Sequence, residues 1–201
     1  MIIGLTGNIG SGKSKAAAYL QKKGAYLIDA DKVARQIVEP GRPAWQELKK
    51  VFGEEYFSPQ GELDRKKLAG LVFNDVVALQ KLNAITHPAI IGRCKSLADA
   101  HLQKDPNGVV IIEAALFIEA DMLGLVDSLL LITADEEVRL ARIQKRDKLD
   151  ACQAAARIAS QMSEDMKRAY ANHIIENNSD EKILYKGLDI FWQKINPRKG
   201  V

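Results

Sequence analysis

Residues 2–14 constrain this chain more than any other stretch. The apolar run Ile2-Ile3-Gly4-Leu5-Thr6 leads directly into Gly7-Asn8-Ile9-Gly10-Ser11-Gly12-Lys13-Ser14, which satisfies G-x-x-x-x-G-K-[ST] at every specified position. The residues after it read as a helix ending near Gly24. The pattern demands a buried strand, a tight loop and a helix start, in that order. Residues without a Cβ let the backbone curl closely, so that successive N–H groups and the positive end of the helix face one anion. Gly7, Gly10, Ser11 and Gly12 shape that loop, Lys13 reaches a β,γ-diphosphate as a point charge, and the Ser14 hydroxyl is placed to ligate the Mg²⁺ that bridges it. The bland alternative is a glycine-rich turn with a surface lysine; the strand-loop-helix setting favours the phosphate cradle.

Four further apolar runs read as strands: Ala25 to Ile28, Val109 to Ile112, Ser128 to Thr133 and the weaker His173 to Glu176. None alternates strictly with polar residues, as expected for a parallel sheet covered on both faces, and helix-period segments separate them. The class is therefore α/β, with a five-stranded parallel sheet and helices on both faces. The gap from Ala30 to Gly108 is far longer than one crossover helix needs. Within it, Leu68, Val72, Val76, Leu79 and Leu82 recur at helical spacing, and a second helical set, Ile90, Cys94, Leu97 and His101, follows His87-Pro88. A helical insertion is expected there, bordered by the breakers Pro40-Gly41-Arg42-Pro43 and Pro106-Asn107-Gly108. Asp135 to Gln161 reads as a charged helical stretch, and Asp180 to Ile195 as a closing amphipathic helix.

Composition narrows the function classes. Of 201 residues, 47% are apolar, ample for a real core, and a net charge of +3 is too small to make nucleic acid or another polyanion the default partner. Cys94 and Cys152 are far apart with no metal-ligand spacing, which fits a reducing, cytoplasmic setting. No apolar run approaches the roughly 18 residues of a membrane span, and the start carries no cationic leader, so no membrane association is expected. The oligomeric state stays open.

The loop identifies nucleoside triphosphate use; its neighbours choose the reaction. Asp121-Met122-Leu123-Gly124 lies well past the strand ending near Ile112, no N-K-x-D occurs, and the L-S-G-G-Q signature is absent, which weakens the switch and transport-motor readings. A small-molecule kinase needs a group to accept the acceptor's proton and cations over the transferring phosphoryl. Asp29 and Asp31 follow the second strand, whose carboxyl end in such a sheet lies beside the ligand crevice. Either can serve as base, and either can simply cap the helix that follows. Arg139, Arg142 and Arg146 stand at i, i+3 and i+7, sharing one helix face. They can converge on one anion as a lid does, or pair with Asp135, Glu136 and Asp147 on a solvated face. Glu113 ends the third strand, where an acid can hold the metal's water shell, whereas Arg65 and His87 in the inserted segment can be purely structural.

With these residues in place the chain resembles the dephospho-CoA kinase family through nearly its whole length. The marks are Leu5 to Ser14; Ile28-Asp29-Ala30-Asp31 with Ala34-Arg35 and Val38-Glu39-Pro40-Gly41; Leu63-Asp64-Arg65; Ile85-Thr86-His87-Pro88-Ala89-Ile90; Leu116 to Glu119; Arg139, Arg142 and Arg146; Arg157-Ile158 with Gln161; and Asn177-Asn178. The resemblance implies transfer of the ATP γ-phosphoryl to the ribose 3′-hydroxyl of dephospho-CoA, with Mg²⁺, the last step of coenzyme A synthesis. It implies a P-loop core over about residues 1–35, 106–137 and 162–201, a helical CoA domain over about 36–105 and a lid over about 138–161. Asp31, with Lys13 and Arg142, matches the catalytic set; Gly10, Ser11, Gly12, Lys13, Ser14, Lys15, Arg139, Arg146 and Asn177 the nucleotide side, Asn177 in the adenine loop; and Asp31, Arg65 and His87 the acceptor side. Ser14 matches the metal position, with Glu113 a further candidate through water. Three departures stand out: Lys15 replaces a small hydroxyl residue, Glu113-Ala114-Ala115-Leu116-Phe117-Ile118-Glu119 replaces D-x-P-L-L-F-E, and Asn172 stands where aspartate is common. A kinase for another small hydroxyl compound, such as a nucleoside or its monophosphate, and a nucleotide-dependent switch remain the alternatives.

Overall fold

In the computed structural model, which describes residues 1–196, five strands form one sheet in the order β2-β3-β1-β4-β5. They are β1 (Ile2–Thr6), β2 (Tyr26–Asp29), β3 (Val110–Glu113), β4 (Ser128–Thr133) and β5 (His173–Glu176). β1 pairs in parallel with β3 and β4, and β4 with β5. Parallel neighbours need long crossovers, and the chain supplies helices for them: α1 (Lys13–Lys22), α2 (Ala30–Gln36), α3 (Pro43–Phe52), α4 (Arg65–Asn74), α5 (Val76–Lys104), α6 (Glu136–Asp147), α7 (Ala151–Ala159), α8 (Glu164–Arg168) and α9 (Glu181–Ile195).

The unalternating apolar strands are explained by burial on both faces. Ile3, Leu5, Ile111, Leu130 and Ile132 pack with Ala16, Ala17 and Leu20 of α1 and with Leu184, Leu188, Phe191 and Trp192 of α9. The alternate residues Ile112, Leu129 and Leu131 are equally buried on the other face, with Phe117. A Cβ on Gly4 would come within 2.8 Å of both Leu129 and Phe117, so this strand position has room for hydrogen only. Each buried leucine or isoleucine contributes roughly 1.5–3 kcal/mol, and this packing is what holds β1 and α1 rigid on either side of the glycine-rich loop.

The strands lie at the expected places, with β2 and β3 each displaced by one residue toward the C-terminus. The helices depart more. The spacing from Leu68 to Leu82 covers two helices, because Asp75 is extended and its carboxylate accepts from the N–H groups of Val77 and Ala78 at 2.8 and 3.0 Å, starting α5 afresh. Conversely, no break occurs at His87-Pro88: α5 runs 29 residues with Pro88 inside it. A single missing donor is outweighed by the packed turns on either side. The stretch from Asp135 to Gln161 is likewise two helices, divided by Lys148 in the left-handed conformation and restarted by a capping box between Asp150 and Gln153.

Internal contacts divide the chain into two units: Met1–Ile28 together with the chain from Ala98 onward, and Asp29–Leu97. The first holds the sheet and the glycine-rich loop. The second is helical, and contains an open, mainly apolar cavity of about 230 Å³ lined by Val38, Leu48, Leu68, Val72 and Leu82, with Arg65 among its walls. Among the described residues no helix is long and apolar enough to cross a membrane.

The two cysteines differ sharply in environment. Cys94 is buried and burial pushes its thiol up to about 11, whereas Cys152 is exposed on α7. Iodoacetamide at pH 8 is therefore expected to label the native chain at Cys152 alone and the denatured chain at both, read by intact mass and peptide mapping. Native labelling of Cys94 at a comparable rate contradicts that packing.

Candidate active site

The loop between β1 and α1 is built as its sequence requires. Gly10 and Gly12 take φ values of 84° and 94°, in the left-handed region that side chains disfavour. At Gly10 a Cβ would also meet the Arg139 carbonyl oxygen at 2.9 Å, so glycine is needed for space as well as for conformation. α1 begins at Gly12 with no side-chain cap and no acidic residue in its first turn. The opening N–H groups are therefore left for an external acceptor, and the positive end of the helix dipole is unopposed. Asn177, buried in the loop after β5, donates its side-chain N–H to the Ser11 carbonyl at 2.7 Å and fixes the loop from behind.

Glu113 is the acid of this site. One of its oxygens accepts from Lys13 Nζ at 2.6 Å and from Ser14 Oγ at 2.9 Å, and both Lys13 and Glu113 are nearly buried. The ammonium and hydroxyl that the sequence assigns to phosphate and metal are thus gathered at one carboxylate. Among the described residues no group of three or more His, Cys, Asp or Glu assembles around a metal position. One hydroxyl and one adjacent carboxylate suit Mg²⁺, which keeps several waters and leans on substrate phosphates rather than on an all-protein cage.

The arginines separate. Arg139 is 5% exposed; its Nε donates to the Ala134 carbonyl at 2.9 Å, and its Nη1 is buried with no partner. Arg142 donates from Nη1 to the Gly10 carbonyl at 3.2 Å. Arg146 instead makes a bidentate pair with Asp147 at 2.7 and 2.9 Å, shared with Arg157. The hydrogen bond from Arg146 holds the Asp147 carboxyl below its ordinary range. Arg139 and Arg142 therefore meet the loop, and Arg146 joins the surface ion pairs of α6 and α7. Ile9 completes the contact: its side chain packs on Ile143, Ala154 and Ile158, the small core between those helices. Lys15 pairs with Glu181 at the start of α9, and Glu181 also accepts from Tyr185.

In the helical unit the capping question resolves in favour of Asp29, whose carboxylate accepts from the Lys32 N–H at 3.0 Å. Asp31 does not cap; it stands exposed in the first turn of α2. Arg65 starts α4 and donates to the Arg35 carbonyl at 3.1 Å, beside the apolar cavity. His87 lies within α5, half-buried, not at a helix start.

Sequence reasoning passed over one group. Lys167 of α8 is 0% exposed, pairs with Glu119 at 3.1 Å and donates to the Ala115 carbonyl at 2.8 Å. It sits in the run Glu164-Asp165-Met166-Lys167-Arg168, which reads as a solvated turn; nothing in that pattern distinguishes the buried cation. The buried side-chain atoms without partners are Asn8 Oδ1, Ser11 Oγ, Glu119 Oε2 and Arg139 Nη1. Among the described residues these are the buried side-chain atoms left unmet, and three of the four, on Asn8, Ser11 and Arg139, lie on the glycine-rich loop or against it.

Residues 1–182 match the family model described as CoaE: Dephospho-CoA kinase. A dephospho-CoA kinase from Moorella thermoacetica is 41% identical over 194 residues, covering 96% of this chain and 92% of that protein. Among solved structures, a Thermus thermophilus protein superposes with a TM-score of 0.80 at 34% identity, covering 96% of this chain and 97% of its own. The dephospho-CoA kinase from Campylobacter jejuni gives 0.71 at 28% identity, covering 98% and 97%.

Burial lowers the pKa of His87, so the folded value lies below the unfolded one of about 6.5. The neutral imidazole is favoured in the fold; its contribution is complete above pH 6.5 or so and is lost as the pH falls through the folded pKa. A His87→Asn variant, compared with the unaltered chain by thermal melting between pH 8 and pH 5, is expected to lose less of its Tm on acidification. Parallel curves count against the buried neutral imidazole.

Proposed function

We propose, from a chain that belongs to the dephospho-CoA kinase family, that it transfers the γ-phosphoryl of ATP to the ribose 3′-hydroxyl of dephospho-CoA, giving coenzyme A and ADP. The observation that carries this reading is the uncapped start of α1 behind Gly10 and Gly12, with Lys13 and Ser14 presented at its first turn.

The N–H groups opening α1 hold the β-phosphate, and Lys13 exchanges its bond to Glu113 for one to the β,γ-oxygens. Arg142, whose guanidinium already reaches the loop, gathers charge on the phosphoryl as it leaves. Ser14, with Glu113 through water, would hold Mg²⁺, which supplies charge neutralisation across the phosphate oxygens. Arg139 holds the nucleotide with its unpartnered Nη1, and Asn177 acts on the nucleotide by holding the loop beneath it. Asp31, two residues past the carboxyl end of β2, is the base: its carboxylate takes the proton as the 3′-oxygen bonds to phosphorus and the γ-phosphorus bond to the ADP oxygen breaks. Asp29, which is engaged as the helix cap, leaves that role to its neighbour. The helical unit, with Arg65 and His87, takes the acceptor, and α6–α7 serves as the lid. Lys15 and Arg146, each held in a surface ion pair, belong to the nucleotide side. The working setting is the cytoplasm.

Asp31→Asn is expected to lower kcat by about a hundredfold or more while ATP affinity stays within about twofold. ATP consumption is measured with dephospho-CoA and with a nucleoside panel, and the product is identified by mass. Preference for a nucleoside moves the acceptor assignment; unchanged turnover of the variant removes Asp31 as base.

A further inference from the structure

Lys167 poses a physical question that phosphoryl transfer does not answer. A fully buried ammonium loses its hydration, and an apolar residue of similar volume commonly serves a core as well or better. What the charge does is therefore to be sought in what it holds. The Ala115 carbonyl that accepts from Lys167 Nζ also accepts from Thr6 Oγ1 at 3.4 Å, immediately before the glycine-rich loop. Glu119, its partner at 3.1 Å, accepts from the Met162 N–H at 3.4 Å through the same oxygen. The Met162 carbonyl in turn accepts from Asn8 Nδ2 at 3.1 Å, and the adjacent Gln161 accepts from the Ile9 N–H at 2.8 Å through its side-chain oxygen. An unbroken chain of polar contacts thus runs from the buried Lys167 and its half-buried partner Glu119 to the tip of the loop and to the segment where α7 ends. Glu119 Oε2 and Asn8 Oδ1, on two of the residues it links, are buried without partners of their own.

We propose that Glu119 and Lys167 form a positioning pair that fixes the glycine-rich loop and the C-terminal root of the α6–α7 segment to each other, and so sets the affinity for the nucleoside triphosphate. The pair touches neither substrate. It acts through Met162 and Asn8, and the proposal rests on the nucleotide reading of the loop given above.

The test compares Glu119→Leu, which removes both acceptors, with Glu119→Gln, whose carbonyl oxygen can still accept from Lys167 and Met162. ATP binding is read by titration calorimetry and both KM values by steady-state kinetics. Glu119→Leu is expected to weaken ATP binding and raise the KM for ATP by about tenfold, with the KM for dephospho-CoA within about twofold of the parent. Glu119→Gln is expected to recover ATP binding to within about threefold. Equal loss for both substrates, or a folded Glu119→Leu chain that binds ATP like the parent, overturns the proposal. Where Glu119→Leu alone fails to melt cooperatively, the double variant Glu119→Leu/Lys167→Met removes the stranded charge. It is expected to melt near the parent temperature yet bind ATP about tenfold more weakly, and parental affinity in it overturns the proposal equally. An unaltered chain that binds no ATP takes the proposal down together with the nucleotide reading; failure in the variants alone leaves that reading standing.

Discussion

The first turn of α1 is kept bare. A helix start ordinarily draws in a side-chain cap or an acidic residue to satisfy its opening N–H groups. Here Gly12 offers no side chain, and the residues that follow it carry no negative charge. Much of the surrounding unit is arranged so that this end stays available. Glu113 holds Lys13 and Ser14 at one carboxylate, Asn177 takes the Ser11 carbonyl, and Glu181 pairs with Lys15. Ser11 Oγ, buried without a partner, lies directly before this helix start. Pre-arranged donors that need little reorganisation are what electrostatic stabilisation of a phosphoryl group requires.

The departures from the family's residue pattern acquire physical meaning in this setting. Lys15 is compatible with an anion-binding helix start because Glu181 neutralises it, the hydrogen bond donated by Lys15 holding the Glu181 carboxyl below its ordinary range. Glu113 in place of an aspartate still brings an oxygen to Lys13 and Ser14. Asn172 supplies its side-chain oxygen to the Leu129 N–H at 2.8 Å, a bond that an aspartate would make with the same atom and that needs no charge.

How much was legible follows from how local each signal is. The strands were readable because burial on both faces removes polar residues from them, and the glycine-rich loop because its conformation excludes other residue types. Asp75 and Pro88 show the limit: the aspartate, which pattern reading passes over inside an apolar spacing, ends one helix and caps the next, while the proline, the stronger breaker by composition, is carried inside a packed helix. The choice between Asp29 and Asp31 turned on which carboxylate reaches the Lys32 N–H, a matter of backbone direction that residue order leaves undetermined. Lys167 was invisible for the opposite reason. Its burial is set by Ala115 and Glu119, some fifty residues away in sequence, and a lysine among charged neighbours carries no mark of that.

The packing of Ile9 between α6 and α7 has a mechanical side. The small apolar core of these two helices, Ile143, Ala154 and Ile158, is completed by a side chain that belongs to the glycine-rich loop. Swinging the two helices outward therefore strips a hydrophobic contact on both sides at once, exposing Ile9 and opening the seam it fills. The energy rises with the area uncovered, so the loop that would carry the phosphates is also an apolar anchor for α6 and α7.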